Sequence, residues 1–165
     1  MVATRNQPET QFLPIEMNTA FTETGKEREW RPNPYFKNTG SCQVIDQNGA
    51  KALRITASPS APTEVQGPIV ACAPDDWLMI KIKASGAPCE AGFYFLGEQK
   101  GTAGRLFHKV PVNGIENTLV FDVSEVKKAA DITRCRLVIS CPAKTGVTFV
   151  ESLSALVARK LNQFD

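Results

Sequence analysis

The sequence predicts an all-β fold: a two-layer antiparallel β-sandwich of the jelly-roll type, with an extended N-terminal arm and one short helix. Three observations lead to this prediction. Apolar and polar residues alternate in several segments, which is typical of strands with one buried face. Clusters of Gly, Pro, Asn and Asp separate these segments. Roughly eight or nine short strands at such spacing indicate a sandwich.

Four segments alternate clearly, and each predicts a strand with one face in the core. They are Lys51–Ser58, Trp77–Ala84, Asn117–Val123 and Arg134–Ser140. Together with the other apolar segments they predict a core of Leu53, Ile55, Ile69, Leu78, Ile80, Ile82, Phe93, Phe95, Leu119, Phe121, Leu137, Ile139 and Phe149.

The remaining elements follow from weaker patterns. Gly67-Pro68 inside Glu64–Ala71 predicts a bulged or edge strand. Ala91–Leu96 is apolar on both faces, which is typical of a central strand, and Arg105–Val110 predicts a short one. Val147–Ala158 is long, and its alternation slips near residues 151–153, where we expect a bulge. Ser124–Ala130 predicts the helix, with Ser124 as its N-cap.

Residues 1–30 are predicted to form the arm, residues 31–160 the sandwich and residues 161–165 a short tail. The arm is polar, and prolines discourage regular structure in it. Its isolated large apolar residues need a surface on which to lie. Two alternatives remain open: a neighbouring subunit, or an edge strand packed on the same sandwich. These residues are Phe12, Leu13, Ile15 and Phe21.

Composition and charge exclude several classes of protein. Hydrophobic residues make up 42% of the chain, as in a globular domain. The net charge of +2, from 19 basic and 17 acidic residues, is too balanced for a nucleic-acid-binding protein. No apolar run approaches the roughly 18 residues of a membrane span. The N-terminus lacks a signal-peptide pattern, so we expect synthesis in a cytoplasm.

The five cysteines predict buried free thiols rather than a metal site. Their number is odd, none are spaced Cys-x-x-Cys, and His108 is the single histidine. A disulfide between Cys135 and Cys141 is the alternative. We therefore expect no metal and no cofactor.

The order of motifs resembles that of the carbohydrate-binding modules attached to cellulases and xylanases, which are galactose-binding-like jelly rolls. The resemblance covers about residues 32–158. It depends on the Asn33-Pro34-Tyr35-Phe36 opening and the Gly-x-x-Ala-Leu-x-Ile strand at Gly49–Ile55, on Val70–Lys83 with its Trp77, and on Arg136–Ile139 followed by Gly146 and Val147–Val157.

The resemblance has implications for metals and for the biological setting. Such modules often place Glu where this chain has Lys37, and Asp where it has Glu151. In the modules, carboxylates near the first of these positions often hold a structural calcium. Lys37 therefore argues against that ion here. The same sandwich occurs in bacteriophage tail, fibre and capsid-decorating proteins. A small chain with an arm, without a signal peptide or a catalytic partner domain, favours a particle component.

No catalytic residues are predicted, because acid–base and nucleophilic chemistry need several positioned groups. His108 stands alone and is predicted to be a partly exposed strand histidine. The glycines of Gly97–Gly104 predict a hairpin loop, since no Gly-Lys-Ser/Thr end follows them. Asp75-Asp76 predicts a turn with solvated carboxylates, a cation site being the alternative.

Sugar binding on such sandwiches uses flat aromatic rings with polar groups beside them. The candidates are Trp77, Tyr94, Tyr35 and Trp30, and packing in the core is the alternative for each. Tyr94 alternates out of phase with Phe93 and Phe95, so it should face away from the core.

The sequence thus favours a non-catalytic structural protein of a bacteriophage particle, made in the host cytoplasm. Its arm would dock on capsid or tail subunits, and we expect homo-oligomers. A glycan-binding module that recognises a cell-surface polysaccharide is the alternative.

Overall fold

The computed structural model describes residues 11–16, 30–33, 40–99 and 101–161, with the backbone alone for 11–16 and 160–161. The described chain is built of antiparallel strands, as the sequence predicts. The strands are β1 (Gln11–Glu16), β2 (Arg31–Pro32), β3 (Ser41–Gln47), β4 (Ala50–Thr56), β5 (Thr63–Ala71), β6 (Trp77–Gly86), β7 (Cys89–Leu96), β8 (Thr102–Val110), β9 (Asn113–Asp122), β10 (Arg134–Cys141) and β11 (Val147–Leu161).

Two sheets face each other. Sheet A has the order β3-β4-β11-β6-β9, and sheet B has the order β2-β5-β10-β7-β8. β1 also belongs to sheet A, where it pairs with residues 156–161 of β11, while β4 pairs with residues 147–150. β6 pairs with the opposite edge of β11 along residues 148–158. β1 and β4 therefore lie end to end along the remaining edge of β11.

Part of the predicted arm is therefore an edge strand of the protein's own sandwich, which is one of the two alternatives. Gln11–Glu16 lies antiparallel to the end of β11. Phe12, Leu13 and Ile15 lie in this strand, whereas Phe21 lies outside the described residues.

The interior between the sheets confirms most of the predicted core. Two members of the predicted core are wrong, and a bulge explains each. The register of β5 shifts between Gln66 and Ile69, so Ile69 points outward and is exposed. The register of β11 shifts between Val150 and Ser152. Val150 is buried, so Phe149 before it faces outward and is only half-buried.

The predicted helix at Ser124–Ala130 is also corrected. Two separate 3₁₀ helices, Val123–Glu125 and Ala129–Asp131, occupy this region, and the side chain of Asp122 caps the first of them. Val126 and Ile132, which follow them, are extended and buried in the core. Anchoring at these two points limits each helix to a single turn, too short for an α-helix to propagate.

All five cysteines are free thiols, as expected; four are buried, and Cys42 is half-buried. The alternative disulfide between Cys135 and Cys141 is not formed. Within the part of the chain that the structure describes, no helix is long and apolar enough to cross a membrane.

Candidate functional site

The outer face of sheet B collects the polar and aromatic side chains that β5, β10, β7 and β8 point away from the core. Cross-strand register places Tyr94 directly between Arg136 of β10 and Arg105 of β8. We call this surface the Tyr94 face. Tyr94 points outward because its neighbours Phe93 and Phe95 fill the core, as their alternation predicts.

A hydrogen bond crosses this face from β7 to β5. The Tyr94 hydroxyl lies 2.7 Å from Oε1 and 2.5 Å from Oε2 of Glu64. β10 lies between these two strands, so the tyrosine and glutamate side chains together bridge about 10 Å of sheet. The tyrosine side chain therefore extends along the surface towards β5.

Glu64 is held from a second direction by Asn33. The Asn33 backbone N–H donates to the Glu64 carbonyl at 2.8 Å, and its Nδ2 donates to Oε1 at 3.3 Å. The Glu64 side chain is nearly enclosed, with 3% of the residue exposed. A buried carboxylate needs such donors, so Asn33 and Tyr94 together fix the position of this acidic group.

A small aromatic and cationic cluster surrounds Tyr94. The Phe107 ring packs edge-on against the Tyr94 ring, with centroids 5.5 Å apart. The guanidinium carbon of Arg105 lies 4.5 Å from the Phe107 centroid and 5.7 Å from that of Tyr94. Cation–π contacts of this kind hold an arginine flat against rings while leaving its N–H groups able to donate.

On the other side of Tyr94, Arg136 donates from Nη1 to Oε1 of Gln66 at 2.9 Å. The face thus combines hydrogen-bond donors, acceptors and flat rings, which is the chemistry that reads sugar hydroxyls and pyranose C–H faces. Burial, and then the hydrogen bond to Glu64, raises the pKa of Tyr94 above its ordinary value. The hydroxyl therefore remains protonated at neutral pH.

The structure separates the four aromatic candidates. Trp77 is 40% exposed, but it lies on the outer face of sheet A, on the opposite side of the sandwich from Tyr94. Trp30 is only 6% exposed and belongs to the core, where its ring packs over Gly67. Tyr35 lies outside the described residues. Of the four, Tyr94 alone is seen on this face.

Sequence reasoning missed Glu64, Asn33 as its partner, Arg105 and Phe107. A signal existed for the last two, because Arg105, Phe107 and Lys109 alternate with residues that face the other sheet. No local pattern signals the Glu64–Tyr94 contact, which joins positions 30 residues apart.

His108 and Asp76 each bind groups of the fold itself. His108 Nε2 lies 2.9 Å from the Val120 carbonyl, and its ring stacks on Phe121. Asp76 is fully buried, which corrects the predicted solvated turn; Asp75 is exposed as expected. Arg159 and the Ala73 N–H bind the Asp76 carboxylate. Among the described residues, no cluster of His, Cys, Asp or Glu is arranged to hold a metal ion.

A cavity of about 380 Å³ opens at one end of sheet B. The β7–β8 loop and the second 3₁₀ helix line it, with Glu98, Lys128 and Asp131 among the lining residues. The glycine loop leads into the strand β8 rather than into a helix, unlike a phosphate-binding loop. Gly97 and Gly101 lie in the hairpin loop, as predicted, whereas Gly104 lies in β8, where it pairs with Phe95.

Comparison with solved structures confirms the carbohydrate-binding-module-like fold. A tailspike protein of bacteriophage CBA120 matches with a TM-score of 0.59 at 12% identity, over 80% of this chain and 19% of that one. A family 11 carbohydrate-binding module from Clostridium thermocellum, solved with a β-1,3-1,4-mixed-linked tetrasaccharide, matches with a TM-score of 0.56 at 7% identity, over 92% and 97%. A family 16 carbohydrate-binding module matches with a TM-score of 0.51 at 9% identity, over 83% and 96%.

The chain thus spans nearly the full length of the two modules but about a fifth of the tailspike. No protein-family model and no curated protein sequence matches it.

Proposed function

We propose that this protein is a non-catalytic glycan-binding module whose ligand lies on the Tyr94 face. One observation supports this most directly: the Tyr94 ring lies across sheet B, held by Glu64 and flanked by Arg105 and Phe107. A pyranose ring would stack on the tyrosine, and the neighbouring polar groups would bind its hydroxyls.

The similarity to carbohydrate-binding modules is consistent with this proposal. The family 11 module was solved with a bound tetrasaccharide. The Tyr94 face offers the same kinds of group that such recognition requires, on a rigid sheet rather than on a mobile loop.

Affinity electrophoresis against a panel of polysaccharides tests the proposal, beginning with mixed-linked β-glucan. We expect at least one polysaccharide to retard the protein, and Tyr94→Ala to remove the retardation. Trp77→Ala is the matched control, because it removes a ring from the opposite face. Circular dichroism of both variants verifies that they fold. Binding that survives Tyr94→Ala in a folded protein, or is lost in Trp77→Ala, contradicts the proposed location, and no binding to any polysaccharide rejects the function.

A role in a bacteriophage particle, with docking on capsid or tail subunits and assembly as a homo-oligomer, is a second proposal. The match to a phage tailspike supports it, although that match extends over 19% of the tailspike. Sedimentation of the full chain tests the oligomer: we expect a multimer at micromolar concentration, and a monomer at every concentration argues against it. The two proposals are compatible, since a particle protein can also bind a glycan.

A further inference from the structure

The Tyr94 face is more positively charged than the protein as a whole. The strands of sheet B point two acidic side chains outward, Glu64 and Glu90. They point five basic side chains outward: Arg31, Arg105, Lys109, Arg134 and Arg136. The surplus of three exceeds the net charge of +2 for the complete chain.

Each of the two acidic groups has a potential partner within the protein. Glu64 is buried and accepts hydrogen bonds from Tyr94 and Asn33. Glu90 stands directly opposite Lys109 in the register of β7 and β8. With both carboxylates counted, the face keeps its surplus of three positive charges, and two of its basic residues, Arg105 and Arg136, flank Tyr94.

Those arginines lie on the two strands beside Tyr94, where they can reach a ligand bound at the tyrosine. Arg136 and Arg105 are the direct cross-strand neighbours of Tyr94, so their Cα atoms stand about 10 Å apart, on either side of the Tyr94 Cα. Arg105 is exposed, and its guanidinium lies over two rings. A planar guanidinium binds a carboxylate through two parallel hydrogen bonds, which a neutral hydroxyl cannot match.

We propose that the ligand of the Tyr94 face is an acidic polysaccharide, and that Arg105 and Arg136 bind the carboxylates of its uronic acid residues. This inference rests on the proposed glycan-binding function and specifies its substrate class. The sugar ring stacks on Tyr94, and the charged groups on either side read the carboxylates. A neutral polysaccharide would use the ring and gain nothing from the surplus positive charge of the face.

Isothermal titration of the full chain with polygalacturonate, and with fully methyl-esterified polygalacturonate, tests the inference. The two probes share a backbone and differ in charge. We expect the acidic form to bind at least about ten-fold more tightly, which corresponds to about 1.4 kcal/mol for a charge-assisted pair. Raising the salt concentration should reduce this difference, because the interaction is electrostatic.

Variants locate the effect. Arg105→Gln and Arg136→Gln should each weaken binding of polygalacturonate by about ten-fold, within the range for one charge-assisted hydrogen bond. Lys81→Gln is the matched control: it removes one exposed positive charge from sheet A and should leave binding unchanged. Equal losses in all three variants would show a general charge effect and overturn the inference.

The probes separate failure of the inference from failure of the proposed function. Binding of a neutral β-glucan through Tyr94, without preference for polygalacturonate over its ester, overturns the acidic ligand and leaves a glycan-binding module. Equally tight binding of dextran sulfate also overturns it, because the face would then attract any polyanion. No binding of any polysaccharide rejects both.

Discussion

The hydroxyl of Tyr94 lies within 2.7 Å of both carboxylate oxygens of Glu64, although β10 separates their two strands. This contact joins the aromatic ring of the candidate site to a buried acidic group two strands away on the same face of sheet B. It fixes the position of the ring before any ligand arrives, which lowers the entropy that binding must offset.

Tyr94→Phe should destabilise the fold even though it retains the ring. The Glu64 carboxylate would lose its closest donor while remaining buried, which costs about 1–3 kcal/mol. Urea denaturation measures the loss. Adding Glu64→Gln to Tyr94→Phe should restore part of the stability, because a neutral amide needs the donor less than a carboxylate does. Unchanged stability in the single variant would show that the hydrogen bond contributes nothing.

The same pair predicts a dependence of stability on pH. Because the pKa of Tyr94 is raised in the folded protein, the unfolded chain loses this proton first, near pH 10. The contribution of Tyr94 is therefore complete below that pH and is lost as pH rises above it. The difference in unfolding free energy between wild type and Tyr94→Phe should shrink from pH 9 to pH 11. The cysteines titrate in both proteins, so their effect cancels, and a constant difference would contradict the prediction.

The sequence predicted the sandwich because burial on one side of a strand leaves a local signature, as in Leu78, Ile80 and Ile82. That signature fails where a bulge changes its phase. Ile69 follows the bulge of β5, and Phe149 precedes the bulge of β11, so each faces opposite to its prediction. The alternation of β11 slips near residues 151–153, which predicts the bulge. Periodicity alone does not tell whether the apolar residues before the bulge or those after it face the core.

The candidate site was predictable only in part. Tyr94 faces outward because Phe93 and Phe95 face inward, which is local information. The partners Glu64 and Asn33 come from other strands, and their contact depends on the order of strands in sheet B. A sequence pattern does not determine that order, so the site required the structure.

Gly67 leaves space for the Trp30 ring. Adding a methyl group at this position, as in Gly67→Ala, should therefore destabilise the fold. A Cβ at position 67 would lie 2.7–2.9 Å from three atoms of this ring, far inside normal contact. Gly67→Ala should displace Trp30 from the core and cost about 1–3 kcal/mol. In a Trp77→Phe background Trp30 is the only tryptophan, and its fluorescence should shift to longer wavelength. Emission identical to that of the Trp77→Phe parent would contradict the prediction.

Asp76 and Asp75 are adjacent and chemically identical, but they should respond differently to substitution. Asp76 is fully buried and accepts from the Ala73 N–H at 2.7 Å and from Arg159 Nη2 at 3.3 Å. Asp76→Asn removes the charge from a buried carboxylate whose partner Arg159 is partly exposed, and it should cost about 1–3 kcal/mol. Asp75→Asn is the matched control on an exposed turn and should change stability by less than about 0.5 kcal/mol. Similar losses of stability in both variants would show that the interactions of the Asp76 carboxylate add nothing to the free energy of unfolding.

The five thiols should resist alkylation in the folded protein. Burial raises the pKa of Cys42 to about 11, and burial with nearby negative charge raises that of Cys89 to about 12. A hydrogen bond with Cys72, and then burial, raises the pKa of Cys135. Since the thiolate is the reactive form, iodoacetamide at pH 8 should modify the native protein slowly, beginning with the half-buried Cys42.

Mass spectrometry of the labelled protein counts the modified cysteines. In urea, all five should react within the time that leaves the native protein almost unlabelled. Unfolding restores both the ordinary thiol pKa values and the access of iodoacetamide to the sulfur atoms. The ratio of the alkylation rate in urea to that in the native protein therefore reports how far the fold protects each sulfur. Rapid labelling of Cys89 or Cys135 in the native protein would mean that the sheets open at those positions more readily than their burial indicates.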